Sequence, residues 1–307
     1  MLTVAVTGAT GAQGGATARA LLTAGHHVRA LTRTPDAPAA TALRALGAEI
    51  HRADFDDRAS LDAALTDADA LFAVTTPFGT DTGTEVRQGR ALVEAATDAR
   101  LDHVVFTSAA HADRGTGVPH YDSKHEIERR LMASGLPWTV IAPAAFMDNH
   151  ATGWTLSGLR EGVFGWPMPA GRPFALIPAA DIGAFAALAF SRRTDFTGRR
   201  IDIASDTRTP EQIAAALTTA TGRPVTHHEV PLDVVRTHSA DLAAMFAYFT
   251  TTGLDVDVPA LRRAYPEVAW HTFTDWAAGR DWAALLTEPA PEGSGGAGVG
   301  VTGPERS

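Results

Sequence analysis

At 307 residues with 45% apolar side chains, the chain can build a large core in one domain or two. Its formal charge of −9 disfavours the electrostatic attraction that nucleic-acid binding depends on, so no nucleic-acid partner is expected. Cysteine is absent, which excludes disulfides, thiolate metal ligands and cysteine nucleophiles.

The chain runs directly into a β-branched segment without the pattern of a secretory signal. Apolar runs such as 184–190 are far too short to span a bilayer. A cytoplasmic protein without membrane contact is the expectation. Of the 26 basic residues the only lysine is Lys124. A coding bias towards alanine and arginine replaces lysine wherever either cation serves, so a lysine that survives is one whose ammonium is required, or a chance remnant. Arginine keeps its proton, whereas a partly buried lysine can release one.

In chain order, the first signal is Val4-Ala5-Val6-Thr7-Gly8-Ala9-Thr10-Gly11-Ala12-Gln13-Gly14-Gly15, followed by an alanine-rich run over 16–24. It reads as strand, tight turn, helix. The first N–H groups of a helix have no intrahelical partner and sit at the positive end of the helix dipole, so the end of such a turn binds anions. Glycines let the chain bend sharply and let a pyrophosphate approach the backbone. With a strand before, a helix after and a second strand at 28–32, the pattern predicts a dinucleotide site formed by Gly8, Thr10, Gly11, Ala12, Gln13 and Gly14. A plain structural turn is the alternative.

Further strands are expected at 49–53, 70–75, 103–108 and 139–142, with helices at 14–24, 84–99 and 123–134 between them. Short apolar strands alternating with helices predict an α/β fold, a doubly wound parallel Rossmann sheet over residues 1–150. Strand two ends in Thr32-Arg33. An acidic residue near this point would bind ribose hydroxyls; Arg33 instead suits a 2′-phosphate, favouring NADP(H), while the nearby Asp36 leaves NAD open. Strand three ends in Asp54-Phe55, placed for the adenine edge and face. Strand four ends in Thr75-Thr76-Pro77, at the carboxyl end of the sheet where ligands of such folds lie.

A helix opening at His120-Tyr121-Asp122-Ser123-Lys124 puts His120 and Lys124 on one face through i,i+4 spacing. The strand at 139–142 then runs into Pro143-Ala144-Ala145-Phe146-Met147, an apolar loop suited to line a nicotinamide or substrate pocket. Residues 153–173 are rich in glycine, proline and tryptophan and predict a loop or short hairpin over the site rather than a helix. A helix at 181–191 and a strand at 200–204 rejoining the sheet follow. Thr209-Pro210 starts another helix, and Ser239 is the expected N-cap of a helix over 239–249. A last helix is expected at 275–286. Residues 151–286 thus form a smaller α/β substrate lobe, and 287–307 a disordered tail. His26-His27 and His227-His228 lack partners at metal-ligand spacing, so no metal is expected.

With these residues collected, the chain resembles the NmrA-like family, a branch of the atypical short-chain dehydrogenase/reductases. The resemblance rests on Thr7–Gly15, Thr32-Arg33, Glu85-Val86-Arg87-Gln88-Gly89, His103-Val104-Val105-Phe106, His120–Lys124 and Pro143–Phe146, with weaker similarity around 249–266, and covers about residues 1–285. It implies NADP binding and a substrate cleft between two lobes. Standard short-chain dehydrogenases use a tyrosine and a lysine four apart; here Tyr121 and Lys124 are three apart, so the usual pair is missing. Related reductases use the lysine alone, which implies Lys124 as cofactor anchor and proton relay. His120 and Tyr121 are the other proton-donor candidates, with water and the substrate itself as alternatives.

Two functions follow. The first is an NADPH-dependent reductase transferring hydride, near Phe146, to a small apolar or aromatic carbonyl, quinone or enone enclosed by Met147, Trp154, Phe164 and Trp166; these aromatics as ordinary lobe core is the alternative. The second is a non-catalytic NADP(H) sensor acting through a protein partner. Other dinucleotide chemistry such as epimerisation stays open, and so does a homodimer.

Overall fold

The computed structural model describes residues 1–287. The tail expected over 287–307 lies outside the described residues apart from Thr287, which closes the last helix. The elements begin β1 (Thr3–Val6), α1 (Ala12–Thr23), β2 (His27–Thr32), α2 (Pro38–Ala45), β3 (Glu49–Arg52), α3 (Arg58–Leu65), β4 (Ala70–Val74), α4 (Thr82–Asp98), β5 (His103–Thr107), α5 (Pro119–Ala133) and β6 (Trp138–Pro143). They continue with β7 (Ala145–Phe146), α6 (Gly153–Arg160), β8 (Val163–Trp166), β9 (Phe174–Ile177), α7 (Ala179–Ser191), α8 (Arg193–Phe196), β10 (Arg199–Ile203) and β11 (Asp206–Arg208). Last come α9 (Pro210–Thr221), β12 (Thr226–Glu229), α10 (Leu232–His238), α11 (Ala240–Thr251), α12 (Val258–Ala264), α13 (Phe273–Ala278) and α14 (Trp282–Thr287).

Seven strands form one sheet in the order β10-β6-β5-β4-β1-β2-β3, with every neighbouring pair parallel. This is the expected α/β Rossmann-like sheet. Its central strands β1, β4, β5 and β6 are buried almost throughout because helices cover both faces, whereas the edge strands β3 and β10 carry charged residues. Along β4, Ala70 and Phe72 join the core cluster that holds Ala18 and Leu21 of α1 and Ile182 and Phe185 of α7. Leu71 and Ala73 point the other way, to Leu61, Leu92, Ile127 and Leu131 of α3, α4 and α5. The two-residue period of the strand thus feeds two separate helix layers.

The strand expected at 200–204 rejoins the sheet as β10, beside β6. Outside the large sheet, β11-β9-β7 and β12-β8 make two small sheets, and their buried residues share one continuous core with one face of the large sheet. Thr209 caps α9 in a reciprocal capping box with Gln212, and the Ser239 hydroxyl accepts the Leu242 N–H at the start of α11. Both helix starts follow from side-chain oxygens satisfying orphan N–H groups.

Two expectations need correction. Residues 153–173 are not simply loop: they contain α6 and β8. Gly158 is a close-approach residue, since a Cβ there would lie 2.7 Å from the Val163 carbonyl, and Leu156 and Leu159 are buried on the same helix. Glycine content signalled tight packing rather than irregular chain. The helix expected over 275–286 is two helices, because the chain breaks at Gly279-Arg280-Asp281 and Asp281 Oδ1 accepts the Ala284 N–H to restart it.

Candidate active site

The turn from β1 into α1 is bare. Gly8 has φ of +57°, and Gly11 is the extended N-cap of α1. No side chain caps this helix and no acidic residue occupies its first turn. Gly8, Thr10, Gly11 and Ala12 are exposed, with Gln13 half-buried behind them. Gly14 has no room for a side chain: a Cβ would stand 2.3 Å from the Gly8 carbonyl oxygen and 2.6 Å from that of Thr7. The Gly11 N–H closes the turn onto the Gly8 carbonyl at 2.9 Å, and the result is a backbone cradle whose next N–H groups, on Ala12 and Gln13, lie at the positive helix end, the arrangement a diphosphate requires.

Neighbouring strand ends fasten this cradle. The Val74 N–H donates to the Thr7 hydroxyl at 2.7 Å, and the Thr107 hydroxyl donates to Gln13 Oε1 at 2.7 Å. At the end of β2, the Thr34 N–H bonds the Thr32 hydroxyl at 3.1 Å, leaving Arg33 exposed and without an ion pair among the described residues. After β3, Asp54 Oδ1 accepts the Asp56 N–H at 3.0 Å, and Phe55 packs partly against the core. Thr76 is exposed, and its hydroxyl accepts the Phe78 N–H at 3.2 Å.

Beyond β4 the chemistry condenses around Glu85, a wholly buried carboxylate in the first turn of α4. The Thr75 hydroxyl donates to Oε1 at 2.9 Å, Lys124 Nζ donates to the same oxygen at 2.9 Å, and the Ser123 hydroxyl donates to Oε2. Lys124 Nζ also donates to the Thr75 carbonyl at 3.0 Å, with its side chain 12% exposed. A buried carboxylate is tolerated because three donors satisfy it. The cluster fixes the ammonium beside the end of β4.

His120, one turn before Lys124 on α5, is nearly buried. Its ring lies 4.7 Å from Tyr121 and 5.6 Å from Phe78, whose side chain is 40% exposed on the β4–α4 loop. Its Nδ1 is 2.7 Å from Asp241 Oδ2 of α11. Among the described residues nothing bonds Nε2, and that nitrogen is not sealed in the interior. Tyr121 is buried to the same degree, at 4% against 5% for His120. It is buried in the core, and burial pushes its hydroxyl pKa well up.

The expected substrate wall also needs correction. Met147 and Phe164 are wholly buried and Trp166 is 5% exposed. Trp166 stacks on His150 at 4.7 Å, Trp154 at 5.5 Å, Phe164 at 5.6 Å and Phe174 at 5.9 Å, so these rings are packed into the core. Of the set only Trp154 keeps substantial surface. Pro143 is buried at the end of β6, and Phe146 is half-buried beyond it.

Glu85, Asp241 and Phe78 were not assigned roles from sequence. Glu85 in a helix's first turn reads as an ordinary dipole-complementing acid, and nothing local signals its burial. Among the described residues no group of three or more His, Cys, Asp or Glu side chains is arranged to hold a metal ion, and no helix is long and apolar enough to cross a membrane.

Residues 2–282 match the NmrA-like family. The chain is 31% identical over 239 residues to a (4-alkanoyl-5-oxo-2,5-dihydrofuran-3-yl)methyl phosphate reductase of Streptomyces griseus, covering 76% of this chain and 79% of that one. Among solved structures, the NADPH-dependent quinone oxidoreductase of Escherichia coli complexed with NADPH superposes with a TM-score of 0.75 at 26% identity, covering 90% of this chain and 98% of that one. NmrA, a negative transcriptional regulator, superposes with the same TM-score at 24% identity over 92% and 99% of the two chains, a likeness of fold.

Proposed function

The chain belongs to the NmrA-like family, and from that premise we propose that it is an NADPH-dependent oxidoreductase acting on a small apolar or aromatic carbonyl, quinone or enone. The observation that carries the reading is the uncapped first turn of α1, where Gly14 excludes any side chain and exposed N–H groups await an anion. The likeness to a reductase and to an NADPH-complexed oxidoreductase supports it.

In this reading the N–H groups of Ala12 and Gln13 hold the diphosphate, while the Gly11 N–H closes the turn onto the Gly8 carbonyl at 2.9 Å, and Arg33 pairs with the 2′-phosphate. Asp54 and Phe55 border the adenine, and Thr75, Thr76 and Pro77 border the nicotinamide half, with Pro143 and Phe146 as the far wall. When bound, NADPH supplies the hydride. Lys124, held by Glu85 and the Thr75 carbonyl, anchors the ribose hydroxyls and keeps a positive charge near the substrate oxygen. His120 delivers the proton from Nε2, which nothing among the described residues bonds, in preference to Tyr121, whose hydroxyl holds its proton more tightly because burial raises its pKa. Phe78, exposed beside His120, offers a face for a flat substrate, and Trp154, half-buried, is the expected wall residue that keeps surface.

The burial of Tyr121 and the likeness to NmrA favour a second reading, a nucleotide sensor acting through a protein partner. A sensor must present different partner-binding states with the oxidised and reduced nucleotide. Equal recovery of a partner with NADP and with NADPH would eliminate it. The reductase reading is tested by NADPH oxidation against quinones, aromatic ketones and enones.

A further inference from the structure

We propose that Asp241, on α11, is the positioning residue that holds His120 as proton donor. The inference rests on the reductase reading above and extends it to a residue far outside the nucleotide-binding half.

One carboxylate makes two bonds to one residue. Asp241 Oδ1 accepts the His120 backbone N–H at 3.1 Å, and Oδ2 accepts from Nδ1 of the ring at 2.7 Å. The first bond supplies what α5 lacks, because its N-cap Val118 has no capping side chain. The second fixes the ring's orientation and its tautomer, with hydrogen on Nδ1 and Nε2 left without a partner among the described residues. A residue serving only to cap α5 needs the first bond alone. The ring bond points to chemistry at Nε2.

The surroundings suit that role. Asp241 is itself set by α11, whose N-cap Ser239 binds the Leu242 N–H. Burial opposes the Asp241 charge, yet the ring and backbone hydrogen bonds from His120 hold its pKa below the usual carboxylate value. The other groups around His120 are Tyr121, buried and neutral, the uncharged Phe78, and Lys124 one turn along α5 with its charge balanced by Glu85. Asp122, the remaining acid of this turn, is exposed. A second bond ties the same helix across: Tyr248, seven residues on from Asp241, bonds His111 Nδ1 at 3.1 Å.

In the step, hydride from NADPH forms a C–H bond at the carbonyl carbon and the C=O π electrons move to oxygen. The Nε2–H bond of the His120 imidazolium breaks, its electron pair stays on nitrogen, and the proton forms the O–H bond. NADPH becomes NADP, imidazolium becomes imidazole, Asp241 stays a carboxylate, and water returns the proton.

The test compares the pH dependence of kcat for Asp241→Asn, Asp241→Glu and His120→Gln in the full chain, with NADPH and the panel compound that turns over fastest, alongside NADPH affinity by fluorescence. His120→Gln should lower kcat by about a hundredfold and remove the alkaline limb. Asp241→Asn should move that limb to lower pH by about one unit, because the imidazolium loses its anion, while NADPH affinity stays within about twofold. Asp241→Glu should restore the limb. A limb unmoved in Asp241→Asn while His120→Gln abolishes it overturns the role of Asp241 alone; a wild-type profile in His120→Gln overturns His120 as proton donor and the proposal with it, while no turnover with any compound overturns the reductase reading beneath it. If Asp241→Asn does not fold, nitrogen-15 NMR of the unsubstituted protein decides: neutral His120 protonated at Nδ1 is expected, and protonation at Nε2 contradicts the proposal.

Discussion

The Lys124 ammonium meets the Glu85 carboxylate at 2.9 Å, and Glu85 has no exposed surface. The chain's only lysine is therefore tied to a buried anion at the carboxyl end of the sheet. Removing one member of a buried pair leaves an uncompensated charge or a cavity and costs about 3–5 kcal/mol. Glu85→Ala should lower the unfolding free energy by about that amount in denaturant titrations. In Lys124→Ala, Glu85 keeps the Thr75 and Ser123 hydroxyls as donors, so the fold should survive while turnover is lost and NADPH, deprived of its ribose anchor, binds more weakly. Unchanged turnover would remove Lys124 from the mechanism.

Gly14→Ala tests the cradle. Its Cβ would fall on two backbone carbonyl oxygens that cannot move without shifting β1 from α1. We expect NADPH binding to be lost and stability to drop by about 1–3 kcal/mol. Gly171→Ala, where an added Cβ meets nothing within 4 Å, is the control and should match the unsubstituted chain in both respects.

Arg33 is exposed and makes no ion pair among the described residues, so its replacement should leave the melting temperature almost unchanged. Arg33→Asp should nonetheless reverse the preference between NADPH and NADH, because an acid repels the 2′-phosphate and accepts ribose hydroxyls. Equal preference before and after the change would defeat the assignment.

How much of this was legible beforehand follows from the range of the interactions. The sheet was readable because β4 or β5 carries its own apolar period and the turn at Gly8–Gly14 carries its own chemistry. The α6–β8 segment was not, because Gly158 is explained by the Val163 carbonyl that packs on it and β8 by β12, some sixty residues on. The same holds within the site. Glu85 finds Ser123 and Lys124 38 and 39 residues away, and Asp241 finds His120 at a separation of 121. Phe164 and Trp166 look alike as pocket or core until their stacking partners are in place.

Two buried histidines set an acid limit to stability. Burial, reinforced by the nearby Arg193 charge, lowers the pKa of His103 to about 4; burial lowers that of His150 to about 4 despite its bond to the Met147 carbonyl. The native state keeps both neutral, whereas the unfolded chain protonates them near pH 6.5. Their stabilising effect is therefore complete above about pH 6.5 and is lost as pH falls towards 4, by up to about 3 kcal/mol each. Urea unfolding across this range should show the decline, and His150→Phe, which suits the aromatic stack, should flatten it. A variant as acid-sensitive as the parent would place the effect elsewhere.

The central claim is that this site passes hydride from NADPH to a small unsaturated substrate. The most direct measurement is NADPH consumption, followed by its near-ultraviolet absorbance, with quinones, aromatic ketones and enones, and with cofactor binding measured in parallel. We expect NADPH binding, weaker NADH binding and turnover with at least one class. Failure to bind NADPH, or tight binding with no turnover on any class, would contradict it.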